Sequence, residues 1–223
     1  MLHEVSHNLQ SDLGLNKAVP VAIGRRLLEA DCPPPVVQVW VRWNREIFAD
    51  LCALLLGGPS VVGSLLDVIG RSPRAVLAYN PRGPHPTPWL RAYLSTELLR
   101  RMGFADEAER YASLWSKIYP DPRAGTLPRS LTSSFATAHR GVVDALCFRR
   151  FAELGNRSLA ETITFGDKEH QMTLEAAERL AAGTDPGIIP ARLLIGAARS
   201  ALDRRLARPG VITKNFYTEL ARR

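Results

Sequence analysis

Two histidines and a glutamate near the start of the chain have the types and the spacing of a metal site. His3 and His7 lie four residues apart, and Glu4 follows the first of them. On an α-helix, residues four apart share a face, so both imidazoles can reach one Zn²⁺ while Glu4 can reach a water molecule on the ion. This pattern is typical of the metal-binding half of a zinc hydrolase. It also arises by chance on solvated helix faces, so the hypothesis needs a third ligand.

A catalytic zinc site takes three protein ligands and keeps one position open for water. The metzincin pattern needs Gly and His at the third and sixth residues after His7, where this chain has Gln10 and Leu13, and so that pattern is excluded. The other arrangement takes a glutamate from a separate helix, and Glu46 supplies it. Asp50, one turn further on the same face, suits the outer shell, where a carboxylate accepts the second N–H of a ligating histidine.

Three motifs together resemble those of a known family. They are HExxH at 3–7, ExxAD at 46–50 and HPxxxxR at 85–91. The chain is similar in these motifs to the gluzincin peptidases, and most similar to the HtpX and CAAX-prenyl-protease type, in which they follow in this order. The resemblance covers about the first ninety residues, and nothing recognisable follows Arg91. It implies that Glu46 is the third zinc ligand, that Asp50 is the partner of a ligating histidine, and that His85 and Arg91 lie near the substrate.

The function expected from the motifs is zinc-dependent hydrolysis of peptide bonds in a peptide or protein substrate. Glu4 would be the general base, His85 would donate to the oxyanion of the tetrahedral intermediate, and Arg91 would anchor its loop or a substrate carbonyl. Without the family pattern, His85 would be interpreted as a loop histidine with a structural hydrogen bond. The alternative function is a catalytically inactive helical module, for metal binding or protein interaction, derived from a zinc peptidase.

The position of the first motif leads to a further expectation. Only Met1 and Leu2 precede His3, whereas a zinc peptidase usually has at least one helical turn before this motif and, upstream, a strand that holds the substrate backbone. Leu2 is the type of residue that an interior helix position would show. We therefore expect an N-terminally truncated sequence, either because the start was assigned too late in a longer gene or because this is a shortened and inactive copy.

The composition limits the class of protein to which the chain can belong. The chain has 223 residues, 46% hydrophobic and 23% charged, and these are ordinary values for a globular protein. The net charge is +7, and the basic residues include five arginine pairs near expected helix ends, where cations complement the helix dipole. We therefore expect a solvated surface and no nucleic-acid partner.

Cys32, Cys52 and Cys147 form no CxxC pair, which favours a reducing cytoplasm over a disulfide framework. The oligomeric state is left open.

The most apolar window, 51–70, is the only candidate for a membrane span. The run of Gly57, Gly58 and Pro59 interrupts it and Asp67 adds a charge near its end, so two core helices and a turn are the better interpretation. We do not expect membrane association.

The elements that must position the motifs are helices. Apolar residues recurring at three and four predict the strongest helix over 36–56, which carries Glu46 and Asp50. The first motif lies on a helix ending near residue 10 or 11, with Leu2, Val5 and Leu9 on its apolar side. Further predicted helices cover 21–30, 61–69, 88–103, 105–119, 131–147, 167–182, 188–207 and 213–223, with an irregular segment at 148–166.

These elements predict a mainly α fold with a zincin-like core, in which the HExxH helix packs on the helix of the glutamate ligand and the substrate-edge strand is missing. Residues 1–104 would form the metallopeptidase-like helical core, and 105–223 a helical C-terminal extension packed on the same domain. Thr87 is predicted to cap the helix that begins at Pro88. His139 and His170 are interpreted as ordinary histidines, the latter on the surface.

Overall fold

The computed structural model describes all 223 residues and is mainly helical, with 73% helix and 2% strand. This confirms the predicted all-α class. No helix combines the length and the apolar character needed to cross a membrane. The helices of the first half are α1 (Leu2–Asp12), α2 (Leu15–Glu29), α3 (Pro34–Arg42), α4 (Asn44–Gly57), α5 (Pro59–Ile69), α6 (Pro73–Val76) and α7 (Pro88–Arg101).

The second half continues the helical chain and contains the two strands. Its helices are α8 (Ala105–Ile118), α9 (Arg129–Val143), α10 (Leu159–Thr162), α11 (Asp167–Ala182), α12 (Ala191–Asp203) and α13 (Pro209–Leu220). Strands β1 (Arg150–Phe151) and β2 (Arg157–Ser158) pair with each other in antiparallel register. A π-helical turn, Asp144–Phe148, prolongs α9, and short 3₁₀ turns occupy Pro122–Ala124 and Ala152–Leu154.

The helix predicted over 36–56 is in fact two helices, because the chain turns at Trp43. The Asn44 side chain donates a hydrogen bond to the Val41 carbonyl (2.8 Å), a local bond that competes with continuous helix at this point. Trp43 is fully buried, and its indole N–H donates to the Gly83 carbonyl at 3.2 Å. The apolar periodicity runs across the turn because residues on both sides of it face the same core.

Other differences from the predicted elements lie at helix ends and in segments for which no helix or strand was predicted, such as α6. Helix α2 begins at Leu15, directly after a left-handed Gly14, and contains Pro20 in its interior, so the expected start at residue 21 was wrong. The segment 148–166, expected to be irregular, holds the hairpin and α10. Ser158 caps α10 through a reciprocal pair of hydrogen bonds with Glu161.

The chain has one continuous hydrophobic core, to which both predicted regions contribute. The buried cluster includes Phe48 and Leu54 of α4 together with Leu193 and Leu194 of α12. Residues 105–223 therefore share the core of residues 1–104. His170, expected on the surface, lies against Phe104 with ring centroids 5.1 Å apart and has a side chain only 15% exposed.

Two glycines between α4 and α5 bring distant parts of the chain together. A Cβ on Gly57 would lie 2.8 Å from the Leu2 side chain, so the start of α1 packs directly on this backbone. Gly58 has φ +67° and ψ −155°, a backbone conformation that is essentially restricted to glycine, and the Phe165 ring covers it. The joint formed by Gly57 and Gly58 can therefore exist only because neither residue has a side chain.

We predict that Gly58→Ala destabilises the fold. A Cβ there would lie 2.1 Å from Phe165 Cε1, and the backbone conformation alone costs about 1–3 kcal/mol for a residue with a side chain. Urea unfolding followed by circular dichroism measures the loss. Gly210→Ala is the matched control, because a Cβ on Gly210 meets nothing within 4 Å. Equal stability of the two variants would contradict the role of the joint.

We also predict a pH-dependent contribution from His139. Burial lowers the pKa of this histidine, and repulsion from Arg140 and Arg100 adds to that effect. The hydrogen bond with the Phe135 carbonyl and the attraction of Glu97, 4.0 Å away, only partly offset it. The unfolded chain therefore binds a proton more readily than the folded one, and stability falls as pH drops through about 6.5. Between about pH 7.5 and about pH 5.5, the free energy of unfolding should decrease more in the wild type than in His139→Gln. Identical losses would contradict the prediction.

Candidate metal centre

Helix α1 turns a polar face toward α4. Ser6 and Gln10 are fully buried, Ser6 donates to the Leu2 carbonyl at 2.8 Å, and the Gln10 amide donates to Asn44 Oδ1 at 3.2 Å. Val5, expected on the buried apolar side, is instead 44% exposed. Because residues three and four apart share a helix face, the face that buries Ser6 and Gln10 also presents the two histidines of the first motif.

The structure brings the three predicted metal ligands together. His3 Nε2 lies 3.4 Å from one oxygen of Glu46, and His7 Nε2 lies 3.5 Å from the other. The ligand atoms of all three residues lie within 4.8 Å of one another. In a tetrahedral zinc site with bonds of 2.0–2.2 Å, ligand atoms are about 3.3–3.5 Å apart. The donor set, two imidazoles and one carboxylate, suits Zn²⁺, and each imidazole lies at about this separation from one of the two oxygens of Glu46.

Asp50 fixes the orientation of His3. Its Oδ1 accepts a hydrogen bond from His3 Nδ1 at 2.8 Å, and the Asp50 side chain is only 5% exposed. A proton on Nδ1 leaves the lone pair of Nε2 directed at the ligand cluster, which is the arrangement a ligating histidine needs. The same hydrogen bond raises the pKa of His3. His7 lacks such support, since its Nδ1 is buried without a partner.

Arg91 contacts the other side of Asp50. Its Nε and Nη2 each donate to an oxygen of that carboxylate at 2.7 Å. Burial alone would raise the pKa of Asp50, but the hydrogen bonds from Arg91 and His3 outweigh burial and hold the pKa below its usual value. We expected Arg91 to anchor a loop or a substrate carbonyl. Sequence reasoning missed this ion pair, although a buried carboxylate on an apolar helix calls for a nearby cation.

His85 approaches the cluster from the loop before α7. Its Nε2 lies 3.2 Å from Glu46 Oε2, the same oxygen that faces His3, while 60% of its side chain stays exposed. The Trp43 indole supports this loop through the Gly83 carbonyl. Thr87 occupies the predicted cap position of α7, but its hydroxyl donates to the Ala78 carbonyl (3.3 Å) and makes no capping bond to α7.

The cluster opens into a cavity of about 370 Å³. Glu4 is exposed, lines this cavity and forms no ion pair. The predicted site residues His3, Glu46, Asp50, His85 and Arg91 line the same cavity. Apart from Ser64, its remaining wall is apolar and comes from Met1 and from residues of α1, α4, α5 and α12, which no motif indicated. The cavity therefore combines polar, titratable side chains with an apolar surface.

We predict that Arg91→Met destabilises the fold by about 3–5 kcal/mol, because it leaves the Asp50 carboxylate buried without its cation. In a double-mutant cycle measured by urea unfolding, adding Asp50→Leu should recover part of that loss. The control pair is Asp67 and Arg199. Asp67 is 66% exposed, and Asp67→Asn should cost at most about 1 kcal/mol. Additive losses for Arg91 and Asp50 would show that the pair is not coupled.

No family model, curated protein or solved structure matches this chain. Its function has to be inferred from the geometry around His3, His7 and Glu46.

Proposed function

We propose that the protein is a zinc-dependent peptidase of gluzincin type, with a zincin-like helical core. One observation carries the proposal, namely that two imidazoles of α1 and a carboxylate of α4 converge, and that His3 and Glu46 of this cluster line an open cavity, whereas His7 does not. Three protein ligands with access for a small molecule are typical of catalytic zinc sites, whereas structural sites are closed by four. His3, His7 and Glu46 would hold the ion.

Zn²⁺ held by these residues would supply Lewis acidity toward a water molecule and a substrate carbonyl. Glu4 would take the proton from the attacking water and pass it to the leaving amine, as general base and then general acid. Asp50 would keep the Nδ1 proton on His3, so that Nε2 stays available as a ligand. Arg91 would keep Asp50 ionised for that task.

His85 is the candidate donor to negative charge on the substrate oxygen. Its imidazole lies at the rim of the cluster against Glu46 and is largely exposed, so a substrate can reach it. To donate to a substrate, Nε2 would have to exchange its contact with Glu46 for one with the developing oxyanion. The substrate would be a peptide or protein, and we propose neither a nucleic-acid nor a membrane partner.

The cysteines favour metal chemistry over thiol chemistry. Cys32, Cys52 and Cys147 are free and buried. Burial raises the pKa of Cys52 to about 11, and that of Cys147 well above its usual range, so neither is poised as a thiolate nucleophile. Three unpaired thiols also support our proposal of a reducing compartment, the cytoplasm.

A second candidate function is an inactive helical module that retains the metal site. It is favoured by the absence of an extended strand, since β1 and β2 have two residues each and pair with each other. A zinc peptidase normally uses a strand edge to hold the substrate backbone. The two candidates share the metal ligands and differ in turnover, and therefore one experiment separates them.

We predict that the purified protein binds one Zn²⁺ and cleaves peptides. Glu46→Ala should abolish stoichiometric binding in a chelator competition. Glu4→Gln should keep the zinc but lower kcat/KM by about 10²- to 10⁴-fold, because only the proton transfer is lost. Chelation should remove activity and Zn²⁺ should restore it. Glu175→Gln, an exposed change on α11, is the control.

The outcomes distinguish the two candidates. Zinc binding that depends on Glu46, without cleavage of any peptide in a mixed library, would refute the peptidase and support the inactive module. Absence of zinc binding would refute both candidates.

A further inference from the structure

Helix α5 has two apolar faces, and only one of them is used by the core. Val62, Leu66 and Ile69 are buried at spacings of four and three residues, as expected for the core-facing side of an amphipathic helix. The second face is offset from the first by one residue. It carries Val61, Leu65 and Val68, which have the same spacing.

This second face lines the cavity that holds the metal cluster. Val61 and Leu65 are partly buried and Val68 is 66% exposed, so the protein itself does not cover the face. Ile195 of α12 completes the wall from the other half of the chain. A helix that is apolar on two sides without being enclosed leaves surface exposed at a free-energy cost, which a ligand in the cavity would remove.

The charges around the cavity restrict the chemistry of that ligand. The only cationic side chain on its wall besides the histidines is Arg91, and both oxygens of Asp50 already engage it. Glu4 and Glu46 add negative charge at the polar end. In the metal-free protein, an acidic ligand group would therefore meet like charge and no free cationic side chain. An aliphatic or aromatic group fits the apolar end.

We propose that the wall formed by Val61, Leu65, Val68 and Ile195 is a specificity pocket for one bulky apolar side chain of the peptide substrate. That side chain belongs to a residue next to the bond that is cleaved, because the wall and the cluster share one cavity of about 370 Å³. The inference rests on the proposed peptidase function and adds its substrate class, peptides with a residue such as leucine or phenylalanine beside the scissile bond. Leu65 and Ile195 are the specificity-determining residues.

Binding to the metal-free protein tests the pocket independently of catalysis. The probes are N-acetyl-leucinamide, N-acetyl-phenylalaninamide, N-acetyl-aspartic acid amide and N-acetyl-lysinamide. The readout is the NMR signal of the Ile195 δ-methyl group, assigned with Ile195→Val, and the buried Ile212 serves as internal control. We expect the leucine and phenylalanine probes to shift the Ile195 signal and to bind about 10- to 100-fold more tightly than the aspartate probe.

Variants of Leu65 show whether the wall causes this preference. Leu65→Trp should fill the cavity and Leu65→Ser should weaken its apolar character, so each should reduce binding of the leucine probe at least about tenfold. The second variant keeps the test valid where the larger side chain impairs folding. Leu114→Trp, on the exposed side of α8, is the matched control and should change nothing. Zinc affinity should be unchanged in all three variants.

Equal shifts with all four probes, no shift with any of them, or an undiminished preference in both Leu65 variants would overturn the pocket. The zinc-loaded protein then separates the two proposals. Peptide cleavage without preference for a neighbouring apolar residue would refute the pocket and keep the peptidase. Selective binding of apolar probes without cleavage would refute the peptidase, and with it the role of this surface in cleavage.

Discussion

The arrangement of the site depends on one buried carboxylate. Asp50 is held between Arg91 of α7 and His3 of α1, with hydrogen bonds of 2.7–2.8 Å on both sides. A carboxylate in the interior is tolerated only when charge and hydrogen bonds compensate it, so these three helices must meet at this point. The same contacts orient His3 Nε2 toward Glu46, which lies one turn before Asp50 on α4. Folding and the geometry of the cluster of His3, His7 and Glu46 therefore share a single constraint.

This constraint explains why the inner face of α1 is polar. A helix that packs on a core usually buries an apolar stripe, but α1 buries Ser6 and Gln10 and leaves Val5 exposed. Ser6 donates to the Leu2 carbonyl on its own helix and the Gln10 amide donates to Asn44 of α4, which limits the cost of burying them, although Gln10 Oε1 has no partner. The apolar contacts that α1 gives up are replaced elsewhere, for example where Leu2 packs against the backbone at Gly57.

Local spacing made part of this site predictable. The pairs His3 with His7 and Glu46 with Asp50 each share a helix face, so the spacing of these residues was enough to predict which side chains lie together on α1 and on α4. Contacts between segments distant in the chain were predicted only where the motif resemblance supplied them, as for Glu46 and Asp50 with the histidines of α1, since periodicity reports which face is buried and not what covers it. The ion pair of Arg91 with Asp50 and the contribution of Ile195 were therefore not predicted. The turn at Trp43 was missed because the apolar pattern continues through it.

The joint at Gly57 and Gly58 lies between the part of the chain that gives the cavity its polar groups and the part that gives it an apolar wall. Helix α4, before the joint, carries the carboxylates of the cluster, whereas α5, after it, carries an apolar wall. The cavity-facing residues of α5 can therefore diverge in evolution without altering the carboxylates of α4, whereas its core residues and the two glycines are restricted by packing. In a family of related sequences, variability on α5 should therefore concentrate at Val61, Leu65 and Val68.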